Sequence, residues 1–229
     1  VLQIDLQAPM KLTRVEQQEQ PLIVKQRGDS YFVHLTASQT VGDELSIKFF
    51  FSGQPQAANQ PPWDGGLVWQ QDDQGLDFIA SACQGVGASI WWPNKEHSYD
   101  EPDQGALLSI EVPEHLTDVS NGRLLKVDHN QKKATKTYHW QVTYPINNYG
   151  ININIADYVH FSEEYLGEQG PLTMDYYVLR QDEQKARKHF VEAKRTLAAL
   201  EHWFGPYPFY RDGFKLVQAP YLGMEHQSS

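Results

Sequence analysis

The chain has 229 residues, 40% hydrophobic and 12% aromatic, enough to build a core in one or two domains. A net charge of −10 argues against a nucleic-acid partner, which needs clustered Lys and Arg, and fits cationic ligands such as peptide amino termini. The lone cysteine, Cys83, excludes an intrachain disulfide and a Cys-rich zinc fold.

No apolar run reaches the ~18–20 residues that span a bilayer. Residues 1–7 alternate apolar and polar and lack the charged and apolar regions of a signal peptide. A strand-like start without Met is expected of a chain that begins partway through a longer protein. One thiol does not fix the compartment, so export and the cytoplasm both stay open.

Leu2, Ile4 and Leu6 alternate with Gln3 and Asp5, a half-buried strand pattern. Residues 22–25 and 31–36 flank Gly28, Asp29 and Ser30, which predicts a hairpin. A third strand is predicted at 45–51, followed by a loop over 52–66 rich in Gly, Pro, Gln and Asn. Strand-like runs resume at 67–70, 77–83, 107–112, 136–144 and 151–161. Many short strands separated by turn signals predict a mainly β protein, an antiparallel sandwich or saddle-shaped sheet assembly.

The pattern changes near residue 180. Ala186, Phe190, Ala193, Leu197, Leu200 and Phe204 mark one face of an amphipathic helix. Asp182 and Glu183 suit its N-terminal dipole, and Gly205-Pro206 stops it. A strand at 214–218 leads into Ala219-Pro220-Tyr221-Leu222-Gly223-Met224-Glu225-His226. The division is therefore 1–180 as one domain and 181–229 as the start of another.

No two of the nine histidines are four residues apart, so the H-E-x-x-H zinc helix is absent. There is no phosphate loop and no G-x-S-x-G elbow. Two places carry polar groups at strand ends. After the last strand, Gly223 lets a backbone approach closely, and the Glu225 carboxylate can bind an ammonium group. Taken alone, Glu225 also fits a solvated loop. In Cys83-Gln84-Gly85-Val86-Gly87, Gln84 can donate and accept hydrogen bonds. Cys83 reads as a small buried apolar residue.

Gly223-Met224-Glu225-His226 resembles the G-x-M-E-N exopeptidase motif of the M1 metallopeptidases, the gluzincin aminopeptidases of the aminopeptidase N type. Phe204-Gly205-Pro206-Tyr207-Pro208-Phe209 and Phe214-Lys215-Leu216-Val217 resemble the helix end and strand before that motif. Cys83-Gln84-Gly85 and Asp100-Glu101-Pro102 resemble the substrate-facing strand of the family's N-terminal domain and the acidic turn behind it. Pro145-Ile146-Asn147-Asn148-Tyr149-Gly150 and Tyr158-Val159-His160-Phe161 are similar to a bacterial branch. The resemblance covers essentially the whole chain.

It implies an N-terminal β-domain, incomplete at its start, followed by the first helix and strand of an α+β thermolysin-like catalytic domain. It implies a parent that uses zinc to activate water and to polarise the first peptide carbonyl. The substrate is a peptide with a free N-terminus. Glu225 would bind the α-amino group, and Gln84 would reach the amino end or the first side-chain pocket. Gly223 and Met224 would line the cleft. His226 stands where the family usually has Asn, with a charge that depends on pH. Zinc ligands and catalytic base would lie beyond residue 229, so this stretch is expected to hold no zinc and to hydrolyse nothing alone. Its helix is expected to expose apolar surface that a second copy can cover. Two other classes compete: a β-sandwich module reading carbohydrate or protein through exposed Trp and Tyr, and an M1-like scaffold without zinc.

Overall fold

A computed structural model describes residues 1–228. The chain opens with β1 (Leu2–Asp5), β2 (Lys11–Gln17), β3 (Gln20–Pro21), β4 (Ile23–Arg27), β5 (Ser30–His34) and β6 (Ile47–Ser52). Next come β7 (Gly66–Gln71), β8 (Asp77–Ala82), β9 (Ala106–Pro113), β10 (Thr117–Ser120), β11 (Arg123–Asn130), β12 (Thr135–Val142) and β13 (Ile153–Ala156). Then follow β14 (Tyr158–Gly167), β15 (Gly170–Leu179), helices α1 (Glu183–His189) and α2 (Val191–Phe204), and β16 (Phe214–Val217). The protein is mainly β with antiparallel pairing, as expected; β15 with β16 is the parallel exception. No helix among the described residues is long and apolar enough to cross a membrane.

The central core lies between two sheets. One has the order β10-β13-β8-β7, the other β11-β12-β9. Leu67, Phe78, Ile79, Val119 and Ile155 from the first meet Leu108, Val112, Trp140 and Val142 from the second. Along β9 the alternation is strict around these contacts: Leu108 and Val112 point inward, while Leu107, Ser109 and Glu111 face solvent. Two small sheets, β1-β5-β4 and β3-β2-β6, come from the first 52 residues. The predicted hairpin is β4–β5, paired from Ile23–His34 to Arg27–Ser30.

Three features depart from the sequence expectation. The run at 151–161 is two strands, because β13 pairs with β8 and β10, whereas β14 pairs with β15. The predicted helix is two helices that break at Phe190, whose ring packs against Phe161 and Tyr176. The ten-residue strand β15 was not anticipated. Leu172, Met174 and Tyr176 on it join a second core with Leu197 of α2 and Tyr210, while Tyr177 and Leu179 join the central core. Leu172, Met174 and Tyr176 alternate with Pro171, Thr173 and Asp175, whereas residues 176–179 form an unbroken buried run, covered on both faces. The sheet β14-β15-β16 therefore crosses position 180.

Glu201 fastens α2 to this sheet. Its buried carboxylate accepts hydrogen bonds from Tyr165 Oη (2.8 Å), Tyr207 N (3.0 Å) and Glu168 N (3.2 Å), and from Tyr210 Oη. Burial alone would raise its pKa, but these donors outweigh it and hold the carboxyl below its ordinary value. Around and beyond it the apolar face runs into solvent: Leu200 is 48% exposed and Phe204 84%.

Candidate functional site

After β16 the chain is fixed by side chains rather than by pairing. Gln218 N donates to Tyr177 O (2.9 Å), and its side chain binds Leu179 N (2.8 Å) and Asp182 Oδ2 (2.9 Å). Tyr221 Oη then donates to Ser81 O at 3.1 Å, which seats the segment at the end of β8. Beyond it, Asn121 Nδ2 donates to Gln227 O (2.7 Å), and Gly122 N to Ser228 O (2.6 Å). Lys215 is buried under the Trp140 ring, and its Nζ donates to Gly122 O (2.6 Å) and Ser228 O (3.1 Å). Burial pushes this amine down to about 7. Residues 222–226 are thus strung between two fastenings.

Gly223 has φ +106°, a backbone state that L side chains rarely adopt, and the space where a Cβ would stand is open. Met224 is half-buried and Glu225 is exposed. The Tyr149 phenol lies near the Glu225 carboxylate; burial and then this negative charge raise the phenol's pKa. The Tyr149 ring lies 5.9 Å from that of His226. Both His226 nitrogens are buried without a well-formed hydrogen bond. Burial pushes the imidazole down to about 4, against the opposing pull of Glu225 and of the nearby Tyr149 backbone. His226 is therefore neutral at physiological pH.

Cys83 ends β8 in the same neighbourhood, electrostatically coupled to Tyr149 and Tyr221. Burial lifts its thiol to about 12, so it is not a thiolate nucleophile at neutral pH. Gln84 follows it in an exposed turn. No hydrogen bond between Gln84 and Glu225 is formed. Asp100 pairs with Lys95 at 2.8 Å, while Glu101 accepts a long bond of 3.5 Å from Asn147 in the Tyr149 loop. Tyr149, Tyr221 and Asn121 belong to the cluster but were not singled out as site residues. Tyr149 lies inside the quoted Pro145–Gly150 stretch, and Tyr221 beside the motif, so proximity to the motifs was their only signal.

Among the described residues, no group of three or more His, Cys, Asp or Glu is gathered closely enough to hold a metal ion. The exposed tryptophans sit on different elements. Trp63 lies in a loop, Trp69 on edge strand β7 and Trp203 on α2, and Trp140 is in the core.

No protein-family model matches the sequence, and no curated protein sequence matches it. Solved structures do. The M1 zinc metallopeptidase from Deinococcus radiodurans superimposes with a TM-score of 0.76 at 17% identity, covering 97% of this chain and 49% of that one. A mutant of that enzyme bound to a Tyr-Ser-Ala substrate matches with a TM-score of 0.76 at 16% identity and the same coverage. Legionella pneumophila aminopeptidase A, in complex with aspartic acid, matches with a TM-score of 0.65 at 15% identity, over 92% of this chain and 23% of that one. The chain spans about half the length of the Deinococcus chains it matches. Over nearly all of its length, this chain has the fold found in M1 zinc metallopeptidases.

Proposed function

We propose that this chain is the amine-reading part of an M1-type zinc aminopeptidase, which removes N-terminal residues from peptides. The observation that carries the reading is the seating of residues 221–226 at the end of β8, with exposed Glu225 beside Tyr149 and neutral His226. A peptide α-amino group has an ordinary pKa of ~8 and is cationic at neutral pH. Its N–H groups would donate to Glu225, a charge-assisted pair that holds the ammonium form. A neutral His226 leaves no cation beside the carboxylate to oppose it. Gly223 offers open space for the substrate backbone, Met224 a half-buried apolar wall, and Gln84 a polar contact from the β8 side. Fixing the amine one residue from the scissile bond makes the enzyme an exopeptidase.

Residues 181–229 are read as the opening of a second unit, built onto the β14–β15 hairpin. The zinc would be held by residues outside this stretch; in such an enzyme the metal supplies the activated water and the polarised carbonyl. The apolar end of α2 would be covered by further chain or by a second copy. The test is hydrolysis of an aminoacyl anilide by the natural full-length polypeptide, beside an N-acetylated copy, with and without chelator. Chelator-sensitive cleavage of the free-amine substrate alone is expected. Cleavage of both substrates, or of neither across a panel of aminoacyl groups, would contradict the reading.

A further inference from the structure

The candidate site is built from two segments distant in sequence: the loop 145–150, which carries Tyr149, and the segment 221–228, which carries Glu225 and His226. Neither is a helix or a strand. The Asn121 side chain joins them. Asn121, fully buried in the turn between β10 and β11, uses its two Nδ2 hydrogens on two carbonyls. It donates to Gly150 O at 2.7 Å and to Gln227 O at 2.7 Å. These acceptors are the immediate neighbours of Tyr149 and of His226. Its Oδ1 accepts from Asn152 N at 2.9 Å, which fixes the amide plane.

The surroundings brace this link. Asn148 Nδ2 donates to Asn94 Oδ1 (3.0 Å) and Lys95 O (2.7 Å), and Gly150 N to Asn147 Oδ1 (2.8 Å). Gln227 Nε2 donates to Pro145 O, a second tie between the two segments. Gly122 N binds Ser228 O one residue further on. Only an amide of this length provides two donors at this point while its oxygen accepts a third bond.

We propose that Asn121 is the positioning residue of the site: its amide sets the separation of the Tyr149 loop from the Glu225–His226 segment, and thereby the place of the carboxylate that reads the substrate amine. The functional half of this statement rests on the amine-binding reading above; the structural half does not. Asn121 touches no reacting atom. It acts through Tyr149, Glu225 and His226, by holding the place of the carboxylate that binds the amine.

The first test uses the 229-residue chain and the His226 imidazole, which senses closure of the two segments. The charged and titratable groups around it are Glu225 and Tyr149, with Cys83 and Tyr221 beyond. By NMR the His226 midpoint is expected near 4 in the unsubstituted chain. In Asn121→Ser it should move towards the ordinary ~6.5 as the ring gains solvent. Glu201→Gln, an equally buried change at the far end of α2, should leave it in place. An unmoved midpoint in folded Asn121→Ser overturns the proposal. If that variant does not fold, hydrogen exchange of the Asn121 side-chain amide in the unsubstituted chain decides: slow exchange supports the clamp, and exchange at surface rates overturns it. In the full-length polypeptide, Asn121→Ser should raise KM for a free-amine anilide roughly tenfold and change kcat less. A shifted His226 midpoint in a polypeptide that cleaves no substrate would support the clamp and overturn the amine reading instead.

Discussion

Glu225→Gln in the full-length polypeptide is expected to lower kcat/KM for a free-amine anilide by roughly 100-fold or more, mainly through KM. The amide keeps the volume and one acceptor oxygen but loses the charge that pairs with ammonium. His226 is neutral at this pH, and Tyr149 presents a phenol whose pKa is raised further. The loss should shrink as pH rises through the substrate amine's ~8, because the neutral amine pairs no better with a carboxylate than with an amide. Steady-state kinetics of both forms from pH 6 to 9 check this; a uniform loss across that range would point to misfolding rather than to charge.

Asp118→Asn is expected to stabilise the chain at pH 8 by roughly 5 °C in Tm, and to give no gain at pH 4. Asp118 is completely buried beneath Trp140. Its Oδ2 accepts from the Trp140 indole (3.0 Å) and from Ser120 Oγ (3.4 Å), and its Oδ1 has no partner. Burial raises its pKa well above the carboxylate range, and the two donors offset only part of that. Folding therefore takes up a proton. The associated stability is present below the unfolded value of ~3.9 and is lost as pH rises through the higher folded value. The amide cannot ionise and escapes that loss, while its oxygen still serves Trp140.

Two other groups act in the opposite direction. The lowered His226 pKa removes stability as pH falls from ~6.5 towards about 4. The lowered Lys215 pKa does so as pH falls from ~10.4 towards about 7. Comparing Asp118→Asn with the parent at one pH cancels both. Thermal melts at pH 4 and pH 8 decide, and a variant less stable at both would show that the carboxylate hydrogen bonds outweigh its burial.

The strands that were legible in the sequence bury one face. Leu108 and Val112 on β9, and Ile4 on β1, alternate with polar or exposed neighbours because water lies on the other side. β15 mixes two patterns: Leu172 and Met174 alternate with exposed Pro171 and Thr173, while residues 176–179 form a run buried on both faces. The helix periodicity from Ala186 to Phe204 was visible, but it is compatible with a break at Phe190, where the ring turns towards Phe161 and Tyr176. At the site, Glu225 and His226 could be picked out from the motif. The protonation state of His226 could not, because it is set by burial against Tyr149, 77 residues earlier in the sequence. Asn121 carries no local signal, since its role exists only once the turn meets Gly150 and Gln227.

The central claim is that residues 223–226, together with Gln84, read a free amine. The most direct measurement is an NMR titration of the 229-residue chain with leucinamide and with N-acetyl-leucinamide. Saturable shifts at Gly223, Met224, Glu225, His226 and Gln84 with leucinamide only are predicted. Equal shifts with both ligands, or shifts confined to other surfaces, would contradict the account.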